Sequence, residues 1–446
     1  MTERVQFSSA VPVMETCDVA VFGGGPAGLT AAISAARAGK KTVLVERLGA
    51  LGGTAAMGYV APISGFFQKG RQVVGGIAWE LVKRLEAENA AIVEYPKGHV
   101  SYHVETYKLI AQRMCLESGV KLMTNATLAA CLCEDGRVTH GVIAGKNGLE
   151  AVAAQCFIDA TGDADLCRMA GVPMMPDEGA LQPMSLCFVL EGVDIETDLL
   201  RDCIHHKGVG GANSINLRIH NYLKECETRG ELRQFGGPWF NSTVQGNSLI
   251  VNVTRCAANG ADRTDMTRAE CALREDMFNI VALLKREYPE FRNCNIVASG
   301  VNPGVRETRR ILGLEAVTVE NMLAGREYPC PVARCAHPID RHCVQTSDQT
   351  LQYFDSAAYI PHTALIPRGM SNLLAAGRCI CADAQAFASL RVQATMMAVG
   401  EAAGVMAAQF CAEGGSVAGL DPALLRRTLA QRGTIPGLSP EAPENV

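Results

Sequence analysis

Residues 21–46 read VFGGGPAGLTAAISAARAGKKTVLVE, an apolar run that breaks into glycines and resumes as an alanine-rich stretch. The spacing predicts one βαβ unit: a short buried strand over 17–23, a helix over 29–39 that stops at Gly39, and a parallel strand over 41–46. Gly23, Gly25 and Gly28 fit G-x-G-x-x-G, with Pro26 and Ala27 filling the turn. In that motif the first glycine makes the tight turn, the second admits a pyrophosphate, and the third lets helix and strand pack closely, with the phosphates at the helix N-terminus. Glu46 ends the second strand, where an acidic residue hydrogen-bonds a ribose hydroxyl, and Arg47 follows it. A glycine turn between strand and helix, with an acidic residue in register, points to a dinucleotide site rather than to a structural turn.

The next stretch decides between nicotinamide and flavin dinucleotides. RLGALGGTAAMGYVAPISGFF (47–67) carries a second glycine pair, Gly52 and Gly53, followed by the small polar Thr54. A nicotinamide domain has no need of a second close backbone approach, whereas a bulky cofactor lying extended across the fold does. The expected cofactor is FAD.

Farther along, 121–159 turns to short β-rich segments (KLMTN, TLAACL, VTHGVIAG, LEAVAAQCFIDA), read as a β-meander with hairpin turns at Asp135-Gly136 and Asn147-Gly148. Its last strand runs into ATGDAD (160–165), where Thr161-Gly162 again suits a close backbone approach. Residues 171–360 mix strand-like and helical pieces, and they read as an inserted unit that covers the cofactor. NLLAAG (372–377) is a returning strand with Gly377 and Arg378 as its turn, and the small-residue segment 391–410 is a long helix able to pack tightly on a sheet. If its N-terminus faces the redox ring, the helix dipole stabilises negative charge there. The fold class is therefore α/β: a Rossmann-like FAD-binding domain with a β-meander (17–170 and 361–412) plus an inserted α+β cap or substrate domain (171–360).

Composition narrows the function classes. The 446 residues carry a net charge of −5 with both signs interspersed, so no footprint for nucleic acid or an anionic membrane is visible. No apolar run reaches the roughly 18–20 residues that span a bilayer, and no membrane span is expected. The chain starts MTERVQFSSA, without a secretory pattern, and eighteen scattered cysteines then fit small buried thiols in a reducing cytoplasm. No C-x-x-C occurs; Cys131/Cys133 and Cys379/Cys381 are C-x-C pairs. His205-His206 has no further ligands around it, and no metal is expected.

Several blocks together resemble a known family: VFGGGPAGLTAA with Glu46, LGGTAAMGYVAP, FIDATGDADLCRMAG, LQPMSLCFVLEGVD, GVRETRRILG, YIPHTALIPRGMSNLLAAGRC and SLRVQATMMAVGEAAG. The chain resembles the bacterial FAD-dependent oxidoreductases with a glutathione-reductase-like flavin domain, distantly akin to the flavoprotein subunits of fumarate reductase and heterodisulfide reductase. The resemblance implies that Gly23, Gly25 and Gly28 surround the pyrophosphate, with Pro26 and Ala27 in the same turn, and that Glu46 and Arg47 serve the adenosine ribose. It implies Gly53 and Thr54 on the pyrophosphate and flavin side, Gly162 and Asp163 near the adenosine, Gly377 and Arg378 along the ribityl chain, and flavin contacts from 388–395 led by Arg391. The cysteine clusters of the heterodisulfide reductase relatives, the redox C-x-x-C of disulfide reductases and a second glycine fingerprint for NAD(P)H are all absent.

Flavin carries the redox chemistry, so the protein needs only to place a small organic substrate and handle a proton. Catalytic candidates are Arg306, with Arg309 and Arg310, which suit a carboxylate clamp, His362, which suits proton transfer, and Arg391 beside the flavin. Against the clamp stands pairing of these arginines with Glu307 on a surface helix; against His362 stands a hydrogen-bonded core histidine. His337 with Arg341 and His342 in HPIDRHC is a further candidate group, in which His337 and His342 read as loop histidines without a role. The function expected is FAD-dependent oxidoreduction of a small organic substrate. The alternatives are an electron-transfer subunit working with a redox partner protein, and a protein in which FAD is structural or regulatory.

Overall fold

The computed structural model describes residues 5–176, 179–205, 216–245 and 248–441. Strand β1 (Val13–Phe22) is longer than the sequence predicts, because its exposed first residues pair in parallel with residues from Ala151 onward. Val19 to Phe22 are buried as a continuous run, as expected of a strand covered on both faces. Helix α1 (Pro26–Arg37) follows at once, started by Pro26, whose fixed φ suits the first turn, and ended where Gly39 takes a left-handed φ of 78°. Strand β2 (Thr42–Glu46) then pairs in parallel beside β1.

Strand β3 (Lys121–Thr124) corrects one expectation. It lies outside the meander, in parallel pairing with the far side of β2. A parallel neighbour needs a crossover, and the helix Val104–Glu117, with Tyr107, Ile110, Ala111 and Met114 buried, supplies it. The meander itself is β4 (Thr127–Glu134), β5 (Arg137–Gly145) and β6 (Gly148–Asp159). Asp135 and Gly136 both have positive φ (46° and 72°), the hairpin geometry expected of Asp-Gly. At the second hairpin the two loop residues are Lys146 and Asn147, and Gly148 already pairs with Gly145.

Strand β6 ties the sheet together. One edge runs along β1; the other pairs first with β5 in antiparallel fashion and then, at Phe157–Asp159, in parallel with β7 (Leu373–Ala375). The chain thus returns to its first sheet more than two hundred residues later. A second, five-stranded sheet in the order 204–205, 235–242, 248–254, 188–191 and 295–299 has its own apolar cluster, running from Met184 to Cys294 and including the helix Arg263–Glu287. Val317, Val332, Cys335 and Ile360, by contrast, pack into the main cluster.

Helix α2 (Gln393–Glu413) lies against α1 at backbone distance. A Cβ on Gly400 would fall 2.0 Å from the Ala27 carbonyl oxygen, and one on Gly404 2.3 Å from that of Ala31. Thr30 Oγ1 and Ser34 Oγ donate across the contact to the Met397 and Glu401 carbonyls, at 2.7 and 2.8 Å. By length and composition α2 is apolar enough to cross a bilayer, yet 94% of its apolar window is buried inside the protein. It serves as a core helix. Gly400→Val should overpack this contact and destabilise the fold by about 1–3 kcal/mol or more. Gly419→Ala, at a site with nothing within 4 Å, should leave the thermal melting midpoint unchanged; equal midpoints for the two variants would refute the close contact.

Candidate functional site

The site begins at the turn between β1 and α1. Gly23 has a φ of 103° and sits on Ala160, and a Cβ on Gly28 would fall 1.7 Å from the Gly23 carbonyl oxygen. Only glycine fits either position. Gly25 is the N-cap of α1 and no side chain caps the helix, so its first N–H groups face outward with the positive end of the dipole behind them. Gly52 N–H donates to the Gly24 carbonyl (2.8 Å), docking the second glycine segment on the first.

Glu46 is buried, and its carboxylate accepts from the Gly24 N–H (2.6 Å) and the Leu48 N–H (2.8 Å). Beyond its expected role it therefore braces the turn. Asp159, at the end of β6, was missed by the sequence reading. Its carboxylate is fully buried and accepts from Thr161 N–H (3.0 Å), Thr161 Oγ1 (2.7 Å) and Cys167 N–H (2.8 Å), which shapes the ATGDAD loop. That loop presents Asp163, which pairs with Arg378 at 3.0 Å and accepts from Thr308 Oγ1 at 2.6 Å.

These segments line one cleft. It gathers Gly23, Gly25, Pro26, Ala27, Glu46, Arg47, Gly53, Thr54, Gly162, Asp163, Gly377, Arg378 and Arg391, while Gly28 sits just behind the turn. Gly260, Met266, Asn302, Pro303 and Val305 form part of its lining from the later part of the chain; Met57, Gly58, Gln393 and Met396 are also in it. Gln393 opens α2, whose N-cap Val392 likewise offers no side-chain cap. Two uncapped helix N-termini thus meet a single groove. Arg378 Nη1, Arg391 Nε and Gln393 Oε1 are buried in its walls with no protein partner. A long ligand carrying phosphates and a ring edge with donors and acceptors fits the Arg378 and Gln393 members of that set. A second hollow, lined by Gln182, Arg309, Arg341 and His342 among others, contains none of the glycine turns.

The proton and anion candidates separate. His362 opens a short 3-10 turn, bonds the Cys330 carbonyl through its backbone N–H (3.2 Å), and is absent from the lining of the cleft. Burial lowers its pKa. Arg306 is 8% exposed and is absent from the lining, although its neighbour Val305 belongs to it. The arginines are on an irregular, largely buried segment rather than a surface helix: Arg310 pairs with Glu307 (2.6 Å) and Arg309 with Asp165 (2.5 Å). His342, read as a loop residue, is in fact buried, 3.3 Å from the Asp340 carboxylate and edge-on to Trp239. His206 lies outside the described residues, and among those described no metal-binding cluster is present. All eighteen cysteines are free thiols; Cys131 and Cys133 face each other at 3.5 Å.

The sequence profile described as FAD dependent oxidoreductase matches residues 18–429. The chain belongs to the FAD dependent oxidoreductase family. FAD is accordingly its cofactor, and the flavoenzyme is similar to several curated proteins over limited stretches. A dihydrolipoyl dehydrogenase of Trypanosoma brucei brucei is 54% identical over 48 residues, 11% of this chain and 10% of that protein. A digeranylgeranylglycerophospholipid reductase 2 of Methanothermobacter thermautotrophicus is 26% identical over 242 residues, 48% of this chain and 60% of the relative. The chain therefore spans between a tenth and three fifths of the length of these two relatives. Among solved structures, a geranylgeranyl bacteriochlorophyll reductase-like protein of Thermoplasma acidophilum aligns over 90% of this chain and 78% of its own, at 14% identity and a TM-score of 0.44.

Two predictions follow from the buried acids and bases of the flavoenzyme. Asp159→Asn turns one acceptor into a donor facing an N–H group, which should cost about 1–3 kcal/mol and lower the denaturation midpoint; an unchanged midpoint would show that the loop does not depend on this carboxylate. Burial, then Arg306 and Arg255, hold the His342 pKa well below its ordinary value, outweighing Asp340. A folded-state pKa below the unfolded value of about 6.5 gives stability that is present above that pH and lost as pH falls, so acidification from about pH 7 to 5 should destabilise the protein, and less steeply in His342→Gln. Parallel pH profiles of melting temperature for the two proteins would contradict this.

Proposed function

We propose that this flavoenzyme oxidises or reduces a small organic molecule at the cleft, with FAD lying extended from Glu46 and Arg47 to Arg391 and Gln393. In this reading Glu46 and Arg47 serve the adenosine ribose, Gly23, Gly25, Pro26, Ala27 and Gly28 the pyrophosphate, and Gly53, Thr54, Gly377 and Arg378 the middle of the cofactor. Gly162 and Asp163 border the same groove, and Asp163 holds Arg378 in place through their ion pair. Residues 171–360 act as the cap, since Asn302, Pro303 and Val305 help line the cleft. Bound FAD supplies hydride or single-electron transfer. The chain's own groups orient the substrate, keep water out and stabilise charge at the N-terminus of α2.

One observation carries this reading: segments as distant in sequence as 23–28, 53–54, 162–163 and 377–378 line a single cleft between two uncapped helix N-termini. The free state of all the cysteines supports a reducing, cytoplasmic setting.

The test is anaerobic. Purified protein should release about one FAD per chain, bleach with an organic donor and recover with an acceptor, while Gly28→Val should lose most of its flavin. Protein that is colourless and takes up no added FAD would overturn the reading.

A further inference from the structure

Behind the cap-side wall of the cleft, two guanidinium groups share one hydroxyl. Arg255 Nη1 and Arg306 Nη1 both donate to Ser185 Oγ, at 2.5 and 2.9 Å. Ser185 is bridged to Gly304, which lies between the cleft residues Pro303 and Val305. The remaining partners of both arginines are neutral: Asn252 Oδ1 (3.0 Å), the Thr254 carbonyl (2.8 Å) and the face of Trp239 (5.1 Å) for Arg255, and the Pro183 carbonyl (2.5 Å) for Arg306. Among the described residues neither has an ion-pair partner. Arg255 is 3% exposed and its Nη2 has no hydrogen-bond acceptor.

Arg391 extends the group into the cleft. Its Nη2 donates to the Asp340 carboxylate and carbonyl, both at 3.2 Å, and its Nε has no partner. Asp340 is itself already engaged, since Oδ2 also meets His342 (3.3 Å) and Oδ1 accepts from Gln349 Nε2 (2.5 Å). Guanidinium groups donate only and do not give up their charge readily, so a buried excess of them needs an anion from outside the protein. Burial, with Arg255 and Arg391 adding to it and Asp340 opposing, holds the Arg306 pKa well below its ordinary value.

We infer that the substrate of this cleft carries a carboxylate, contacted by Arg391 from the cleft side and held by the positive field of Arg255 and Arg306 behind it. A carboxylate matches the planar fork of a guanidinium and supplies the acceptor that Arg391 Nε lacks. Arg391 is the contact residue; Arg255 and Arg306 are positioning residues that act through it and through Ser185. The assignment rests on the proposed flavoenzyme reading for its location beside the cofactor, whereas the excess of positive charge is independent of any cofactor.

The chain has two tryptophans, Trp79 and Trp239, so a Trp79→Phe background leaves Trp239, stacked on Arg255, as the reporter. The full-length oxidised holoprotein would be titrated at constant ionic strength with acetate, succinate, the neutral succinamide and sodium sulfate, following Trp239 emission and the visible flavin band. The expected result is saturable change in both signals with the carboxylates and none with succinamide or sulfate. Arg255→Met should weaken succinate binding about tenfold or more with flavin content unchanged. If that variant does not fold, the comparison of carboxylate with amide on the parent protein decides. An equal response to succinamide or sulfate, or no response to tens of millimolar carboxylate, would overturn the inference. Flavin that binds while both reporters stay silent defeats the carboxylate alone; protein that takes up no FAD yet shows a Trp239 response defeats the flavoenzyme reading alone.

Discussion

The backbone contact between α1 and α2 is the constraint on which the cleft depends. With hydrogens for side chains at Gly400 and Gly404, the last long helix settles onto the carbonyls of Ala27 and Ala31. Thr30 and Ser34 then bond across to the α2 backbone and set its register. Because both helices begin at the cleft, this contact sets the spacing between their two positive ends. Strand β6 holds the opposite side, offering β1 one edge and β7 the end of the other, so the turns at 160–163 and 377–378 emerge side by side.

Charge in the groove is divided between two mechanisms. At the α1 end, the attraction for an anion comes from backbone N–H groups and a helix dipole, with the carboxylates of Glu46 and Asp159 spent on bracing the loops. Toward Arg391 and Gln393, attraction comes from side chains, and there the positive groups outnumber their partners. A ligand with phosphates in its middle suits the first region, and a small anionic molecule suits the second. The geometry separates these two tasks by the length of the cleft.

Buried arginines of this kind are costly unless something rewards them, since removing a guanidinium from water without a carboxylate partner opposes folding. Their neutral hydrogen bonds to Ser185, Asn252 and backbone carbonyls offset part of that cost and hold the forks in one orientation. Trp239 completes the arrangement, taking Arg255 on its face and His342 on its edge. The result is a rigid, positively biased wall next to the proposed redox site.

By itself the sequence determined the βαβ unit, the glycine turn, the Asp-Gly hairpin and the long returning helix. Each is written in local terms: a period of hydrophobicity, a left-handed glycine, a proline at the first helical position. Close backbone approach demands glycine, which allowed the glycines of the cleft to be named in advance, while Asp163, Arg378 and Arg391 were named only through the resemblance to the family. Tertiary structure alone decided the rest. Lys121–Thr124 joins the parallel edge because a helix carries the chain over the sheet, and no property of those four residues records this. His362 and His342 are equally unremarkable in sequence, yet packing leaves the first outside the cleft lining and buries the second beside Asp340. Arg255 carries no local signal either, since the absence of a counter-charge is a fact about neighbours brought together from 183–185, 239, 306 and 340. Burial and pairing are properties of contacts distant along the chain, and only the folded molecule sums them.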